Sequence, residues 1–346
     1  MCVRTLSKQQ VGTVFASSDS RFVLRRGLVA VVAEAVPVVA TTKNRNGRRD
    51  LHTLRQARIG WMFSTPALMF VGLVTIFPIA FSVALSLSNV NVTGNGFALQ
   101  GFTFSNYIQL IHSSTWRYAL GFTVIYTILT VVVELVLGTA IALALERLTK
   151  GRGLMMALLL LPWSIITVIS AELWQYIYEG TYGVLQAIFQ AVGLGAPVFL
   201  GSPTSAVVSM MVADIWKTTP FVAVIVIAGL VMLPGDVFEA AACDGASGWT
   251  IFWKITLPLL RPTIAIAVLF RILQAFGVFD LPFVLTGGGP GTATTSLAIL
   301  SYKVMFQNID YGPGAAVAVS ATLLVVLGCL AFLRVFKAQV GKEEVQ

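Results

Sequence analysis

Residues 234–260 read PGDVFEAAACDGASGWTIFWKITLPLL. They lie between two long apolar runs, 204–233 and 262–285. The stretch is too long for a tight turn and too apolar for a solvated linker. Asp236 is positioned to cap a helix, with Glu239 three residues later as its capping-box partner. Glu239 to Cys243 is alanine-rich and helix-prone. Gly245 is expected to end that helix, because left-handed backbone costs glycine little. A second short amphipathic stretch, Trp249 to Leu257, follows, and Pro258 is expected to break it. The expected product is a short helix, a sharp turn and a second short helix lying on a membrane surface. Its alanine face would let another protein approach closely, and Glu239 and Asp244 could meet basic side chains there. A surface helix that only joins two spans is the alternative.

Working outward, the rest of the chain is as apolar as these flanks. Of 346 residues 57% are hydrophobic and 11% charged, against about 25% charged in soluble domains. That excludes an ordinary soluble enzyme, a disordered chain and a nucleic-acid-binding domain. Six segments are long enough to cross about 30 Å of hydrocarbon as helices: roughly 59–87, 118–146, 154–178, 204–233, 262–285 and 313–336. None shows strand-like alternation, so an all-α integral membrane fold is expected.

Charge orients the spans. Residues 1–58 hold eleven Lys/Arg against Asp19, Glu34 and Asp50, which accounts for the whole net charge of +8. With Arg147, Lys150, Arg152, Lys254, Arg261, Arg334, Lys337 and Lys342, nineteen basic residues fall on one side, against Arg117 and Lys303 on the other. The positive-inside rule places both termini in the cytoplasm. Residues 1–58 read as a basic cytoplasmic extension beside anionic lipid, 59–336 as the six-span domain, and 337–346 as a short cytoplasmic tail. The run from Gly27 to Ala40 follows Arg25 and Arg26 like a signal peptide, but Glu34 and Pro37 interrupt it and no secretory cleavage site follows. Three cysteines, with His52 and His112 far apart, suggest neither a disulfide framework, a metal site nor a triad. No catalytic residue is expected.

The 234–260 stretch resembles the EAA signature of binding-protein-dependent ABC importer permeases, EAA-x3-G-x9-I-x-LP. Glu239, Ala240, Ala241, Gly245, Ile255, Leu257 and Pro258 meet every fixed position at the family spacing. The resemblance implies the six-helix type I, maltose-permease-like transmembrane domain, with this loop, Asp244 included, as the coupling helix held by a cytoplasmic ATPase. The stretch 285–320, with Gly288, Gly289 and Pro290 after the fifth span, is similar to the carbohydrate branch of that family and its maltose-transport F-type permeases. Trp216 to Phe221, WKTTPF, looks like the matching stretch of mycobacterial trehalose-importer permeases. The resemblance covers roughly 59–336; residues 88–117 leave room only for a modest external loop, without the large external domain of the maltose permease. It implies a bacterial cytoplasmic-membrane subunit working with a second related permease, two ATPase subunits and an extracytoplasmic sugar-binding protein, soluble or lipid-anchored. Its cargo would be a sugar, a disaccharide such as trehalose. No G-x-x-x-x-G-K-[ST] loop occurs, so ATP and magnesium are expected on the ATPase chains, with no cofactor and no nucleic acid on this one.

Charges inside spans cost about 2.5–3.5 kcal/mol at mid-helix and mark interior or cavity-facing positions. The candidates are Glu134, Glu172, Asp214, Lys217, Arg271 and Asp280. Asp214 and Lys217 are spaced to pair on one helix, and Glu134 is expected to bond a neighbouring helix. Arg271, Gln274 and Val278 share a face, whereas Asp280 lies about 180° away on an ideal helix unless Gly277 and Pro282 distort it. Transfer from sugar-importing relatives puts Trp216, Lys217, Phe221, Arg271, Gln274 and Asp280 along the substrate path. Trp163 and Trp174 read as packing or interface residues, with stacking on the sugar as the alternative. A same-superfamily permease for glycerol phosphate, a polyol or an oligopeptide is the competing reading. A phosphate cargo would want several convergent basic groups, and only Lys217 and Arg271 are in place. An ATP-independent secondary transporter would leave the EAA loop unexplained, and a membrane-embedded enzyme would need a reactive cluster that the chain lacks.

Overall fold

The structure, a computed structural model, describes residues 51–93 and 96–343. The basic extension up to residue 50, with its Gly27–Ala40 run, lies outside the described residues. The chain divides into two units, residues 1–73 and 74–346. In the first, the described residues form one helix, the beginning of α1 (Leu51–Ser86). Trp61, Phe63, Met69 and Phe70 are exposed on it, the surface a bilayer would cover.

The second unit opens with the end of α1. A two-stranded antiparallel hairpin follows, β1 (Ser88–Thr93) and β2 (Gly96–Phe102), with Val90 opposite Leu99. The segment expected to be a modest loop thus carries a hairpin and a helix, α2 (Ser105–His112). Asn106 ties α2 to the end of α1, its amide donating to the Ser86 and Ser88 carbonyls at 2.9 and 3.1 Å. Then come α3 (Ser114–Glu146), α4 (Arg152–Ser164), α5 (Thr167–Tyr178), α6 (Val184–Ala191) and α7 (Pro203–Val231). Ser113 caps α3, and a Ser202–Ser205 capping box with Pro203 in the first turn starts α7.

The expected third span, 154–178, is not one rod. Ile165 and Ile166 take extended backbone angles, so α4 and α5 meet at 90°. Among the described residues five single helices are long and apolar enough to cross a bilayer, or six if the bent pair counts as one span.

Beyond α7, α8 (Gly235–Cys243) and the one-turn α9 (Gly248–Ile251) lead through a π-helical turn, Phe252–Thr256, into α10 (Leu257–Phe276). Pro258 does not break this segment. A proline ring clashes with the carbonyl of the turn before it in an α-helix, and the wider π turn just upstream opens that spacing. The Leu257 N–H reaches back five residues, to the Phe252 carbonyl. The expected fifth span, 262–285, is also divided. Helix α10 stops at Phe276, and α11 (Asp280–Thr286) starts after a three-residue break. A loop of glycines and threonines, with a cis Gly289–Pro290 bond, leads to α12 (Leu297–Tyr302), a π turn at Lys303–Gln307 and α13 (Tyr311–Glu343). Helix α13 runs past residue 336 into the segment expected to be a tail.

Helices α3, α7 and α10 form the centre of this unit. Ala142, Leu145, Val222, Val226, Leu230 and Leu260 make one continuous apolar cluster at the loop end. Two glycines set how closely the helices approach. A Cβ on Gly138 would lie 2.8 Å from Val222 Cγ1 and 3.1 Å from the Ala223 nitrogen, and one on Gly229 2.6 Å from Thr263 Oγ1. Small residues at crossings are how membrane helices gain packing when apolar burial supplies no drive.

Candidate functional site

Two places are candidates: the 234–260 loop and a polar cavity walled by α4, α5, α7, α10 and α11. In the loop, α8 begins after Pro234 without a side-chain cap. Asp236 therefore does not cap it and Glu239 completes no capping box; Asp236 sits inside the first turn, where a carboxylate still favours the positive helix end. The C-terminus closes as expected. Gly245 takes φ +75°, its N–H donates to the Ala242 carbonyl at 3.1 Å, and the Ala246 N–H donates to the Ala241 carbonyl at 3.0 Å. These paired bonds form a Schellman turn. Glu239, Ala240, Asp244 and Gly245 are exposed, Ala241 is buried, and Ile255, Leu257 and Pro258 are half-buried. The signature thus splits into an outward face on α8 and an anchoring face leading into α10. Beside it lies a largely apolar cavity of about 650 Å³, walled by Leu143, Leu230, Phe238, Trp249 and Phe252.

The second place centres on Arg271, which is 2% exposed. Its guanidinium is held as a fork by Glu134 of α3: Nε donates to Oε2, and Nη2 to Oε1 at 2.8 Å. Nη2 also reaches Asp214 Oδ2 at 3.3 Å, and Nη1 donates to Gln274 Oε1 at 3.0 Å. The two carboxylates have further donors, Thr218 to Glu134 at 2.6 Å and the Tyr126 hydroxyl to Asp214 at 2.8 Å. Buried charges are tolerated only when paired and hydrogen-bonded in this way. Glu134 makes the interhelical bond expected of it. Asp214 forms its ion pair across helices with Arg271 rather than along α7 with Lys217. The lysine instead donates to the Ile165 carbonyl at 2.6 Å. Ile165 lies in the α4–α5 break, where the helical ladder stops, so the lysine serves backbone that a membrane interior would otherwise leave unpaired.

Of these groups Asp214, Lys217, Thr218, Arg271 and Gln274 wall a cavity of about 290 Å³, lined also by Trp163, Thr167, Phe279 and Asp280; Glu134 and Tyr126 stand behind it. Four of the six residues expected on the substrate path therefore meet there: Lys217, Arg271, Gln274 and Asp280. The break after Phe276 makes this possible, because it releases Asp280 from the far face of the helix that carries Arg271. Trp216 and Phe221 are not in the wall. Trp216 sits edge-on to Trp174 at 5.6 Å, and Phe221 stacks on Trp163 at 5.8 Å. Trp163, read as packing, both backs onto Phe221 and lines the cavity. Tyr126, Thr167, Thr218 and Phe279 were not legible as site residues. Thr218 and Asp214 are spaced to share a face of α7, but nothing in the sequence marks which face looks inward. The Gly288–Pro290 turn is pinned by Thr295, which donates to the Gly288 carbonyl at 2.9 Å, and Thr294, which donates to that of Gly289 at 3.0 Å. No group of three or more His, Cys, Asp or Glu suited to a metal occurs among the described residues.

The family model described as "Binding-protein-dependent transport system inner membrane component" matches residues 134–342. The trehalose/maltose transport system permease protein MalF of Thermococcus litoralis is 36% identical over 284 residues, 81% of this chain and 94% of that one. The trehalose transport system permease protein SugA of Mycobacterium tuberculosis is 35% identical over 291 residues, 82% and 91% of the two chains. Among solved structures, a bacterial ABC transporter involved in the import of the acidic polysaccharide alginate superposes with a TM-score of 0.72 at 20% identity, over 83% of this chain and 99% of that one. At that identity the likeness concerns the fold.

Proposed function

Because the chain belongs to the binding-protein-dependent transport system inner membrane components, we propose that it is one permease subunit of an ATP-driven sugar importer, with a disaccharide of the trehalose or maltose kind as cargo. It works with a second, related permease, two ATPase subunits that hold the ATP and magnesium, and an extracytoplasmic sugar-binding protein. This chain does no covalent chemistry and carries no cofactor. Residues 234–260 face the cytoplasm, where an ATPase groove grips α8 through Glu239, Ala240, Asp244 and the Gly245 turn. Sugar passes the cavity bounded by Lys217, Arg271, Gln274 and Asp280, with Trp216 and Phe221 behind its walls.

One observation carries this reading. The same helix, α7, presents Asp214, Lys217 and Thr218 to the cavity and leads within four residues to α8. From Lys217 to Val231 is about 20 Å along the axis at 1.5 Å per residue. A displacement of α8 is therefore delivered to the cavity by a packed helix rather than through a flexible linker. The cargo then adds its own differential affinity for the two arrangements of the cavity.

The test uses the assembled importer in liposomes with its binding protein. Glu239→Lys reverses the charge on the exposed face of α8. Gly245→Pro removes the N–H given to Ala242 and forbids the positive φ. Both variants should insert into the membrane at normal levels and lose sugar uptake. Normal uptake by both would refute the coupling assignment.

A further inference from the structure

The two basic groups of the cavity are engaged to different degrees. Arg271 spends four of its five N–H donors on Glu134, Asp214 and Gln274. Lys217, 8% exposed, gives one of its three N–H groups to the Ile165 carbonyl. Glu134 and Asp214 are likewise occupied by Arg271, Thr218 and Tyr126. Asp280 differs from all of them. It is exposed to the cavity, and no hydrogen bond or ion pair holds its carboxylate among the described residues. It does not cap its own helix either, since α11 starts without a side-chain cap. In the cavity wall Arg271 and Lys217 balance Asp214 and Asp280, and Glu134, buried behind Arg271, brings the formal charge of the whole cluster to one negative in excess.

We propose that Asp280 sets the charge of acceptable cargo, so that the cavity admits uncharged polyhydroxylated sugars and rejects anionic ones such as uronates. This rests on the sugar reading above and adds the discrimination. What the cavity leaves free suits a neutral sugar: an acceptor carboxylate for paired hydroxyls, the Gln274 amide N–H groups as donors, the Thr167 hydroxyl, and the Trp163 and Phe279 rings for sugar C–H faces. A carboxylated sugar would find Arg271 already paired with two carboxylates, and Lys217 only 8% exposed and tethered to the Ile165 carbonyl. It would set its charge against Asp280 in a cavity walled partly by apolar groups, where like charges repel far more than in water.

The test is equilibrium binding to the intact detergent-solubilised importer without its binding protein, so that the permease alone discriminates. The probes are trehalose and the disaccharide carrying a glucuronic acid in place of one glucose. The wild type should bind trehalose at least tenfold more tightly. Asp280→Asn, which keeps shape and loses charge, should narrow that ratio at least tenfold, and Asp280→Ala should narrow it too. Equal binding of both sugars by the wild type, or a ratio unmoved in both variants, would overturn the inference and leave the sugar reading standing. Binding of neither sugar would overturn both.

Discussion

Replacing Arg271 with Met tests whether this arginine is a structural clamp or a cargo contact. The side chain is fully enclosed and bridges α3, α7 and α10 through Glu134, Asp214 and Gln274. Methionine fills much of the volume but leaves Glu134 and Asp214 facing one another with no cation between them. Removing one partner of a buried charge pair costs about 3–5 kcal/mol, roughly two to three and a half orders of magnitude in the unfolding equilibrium. Glu134→Gln should do less harm, about 1.5–3 kcal/mol, the range for losing a hydrogen bond to a charged group. It leaves the Arg271–Asp214 pair neutral and keeps one amide oxygen as acceptor. The double variant Arg271→Met with Glu134→Leu should be more stable than Arg271→Met alone, because it removes one of the two stranded carboxylates. The assay is equilibrium unfolding of the full-length chain in mild detergent with rising SDS, followed by tryptophan fluorescence. If Arg271→Met stayed within about 1 kcal/mol of wild type while uptake was lost, the clamp would be wrong and its donors would belong to the cargo. An additive double variant would equally refute the shared network.

Two other perturbations follow from the same packing. Gly138→Ala places a Cβ against Val222 and the Ala223 backbone, and should destabilise by about 1–3 kcal/mol as the α3–α7 crossing opens; the same SDS titration measures it, and an unchanged midpoint would mean the helices do not cross as closely as described. Lys217→Met removes the donor to the Ile165 carbonyl and should cost about 1–3 kcal/mol for the unsatisfied buried group. Lys217→Arg should recover part of that loss, and hydrogen exchange at residues 165–170 should rise in the Met variant; protection equal to wild type would show that the lysine does not hold the bend.

The chain's helical, membrane-spanning character and the helix–turn form of residues 235–246 were legible in the residues, because each rests on composition or on local spacing. A run of twenty apolar residues has few stable forms in a bilayer, and Glu239, Gly245 and Pro258 keep their separations whatever the rest of the chain does. Prolines show where this legibility ends. Pro220 and Pro262 sit inside unbroken helices, Pro258 follows a π turn, and Pro162 stands three residues before a 90° bend. The residue type is the same each time, and the outcome depends on which neighbouring group takes up the freed backbone.

The polar cavity belongs to the tertiary structure. By itself the sequence determined which ionisable groups fall within long apolar helices. Only the fold decided that Glu134 and Asp214 would meet on Arg271, that Lys217 would turn to a broken span, and that the gap between α10 and α11 would bring Asp280 round to the cavity. The physical reason is that a charge in a low-dielectric interior takes the partner that desolvates it least. Which partner that is depends on helix rotation and crossing distance, set by contacts such as Gly138 on Val222 and Gly229 on Thr263 that lie many residues apart in the chain.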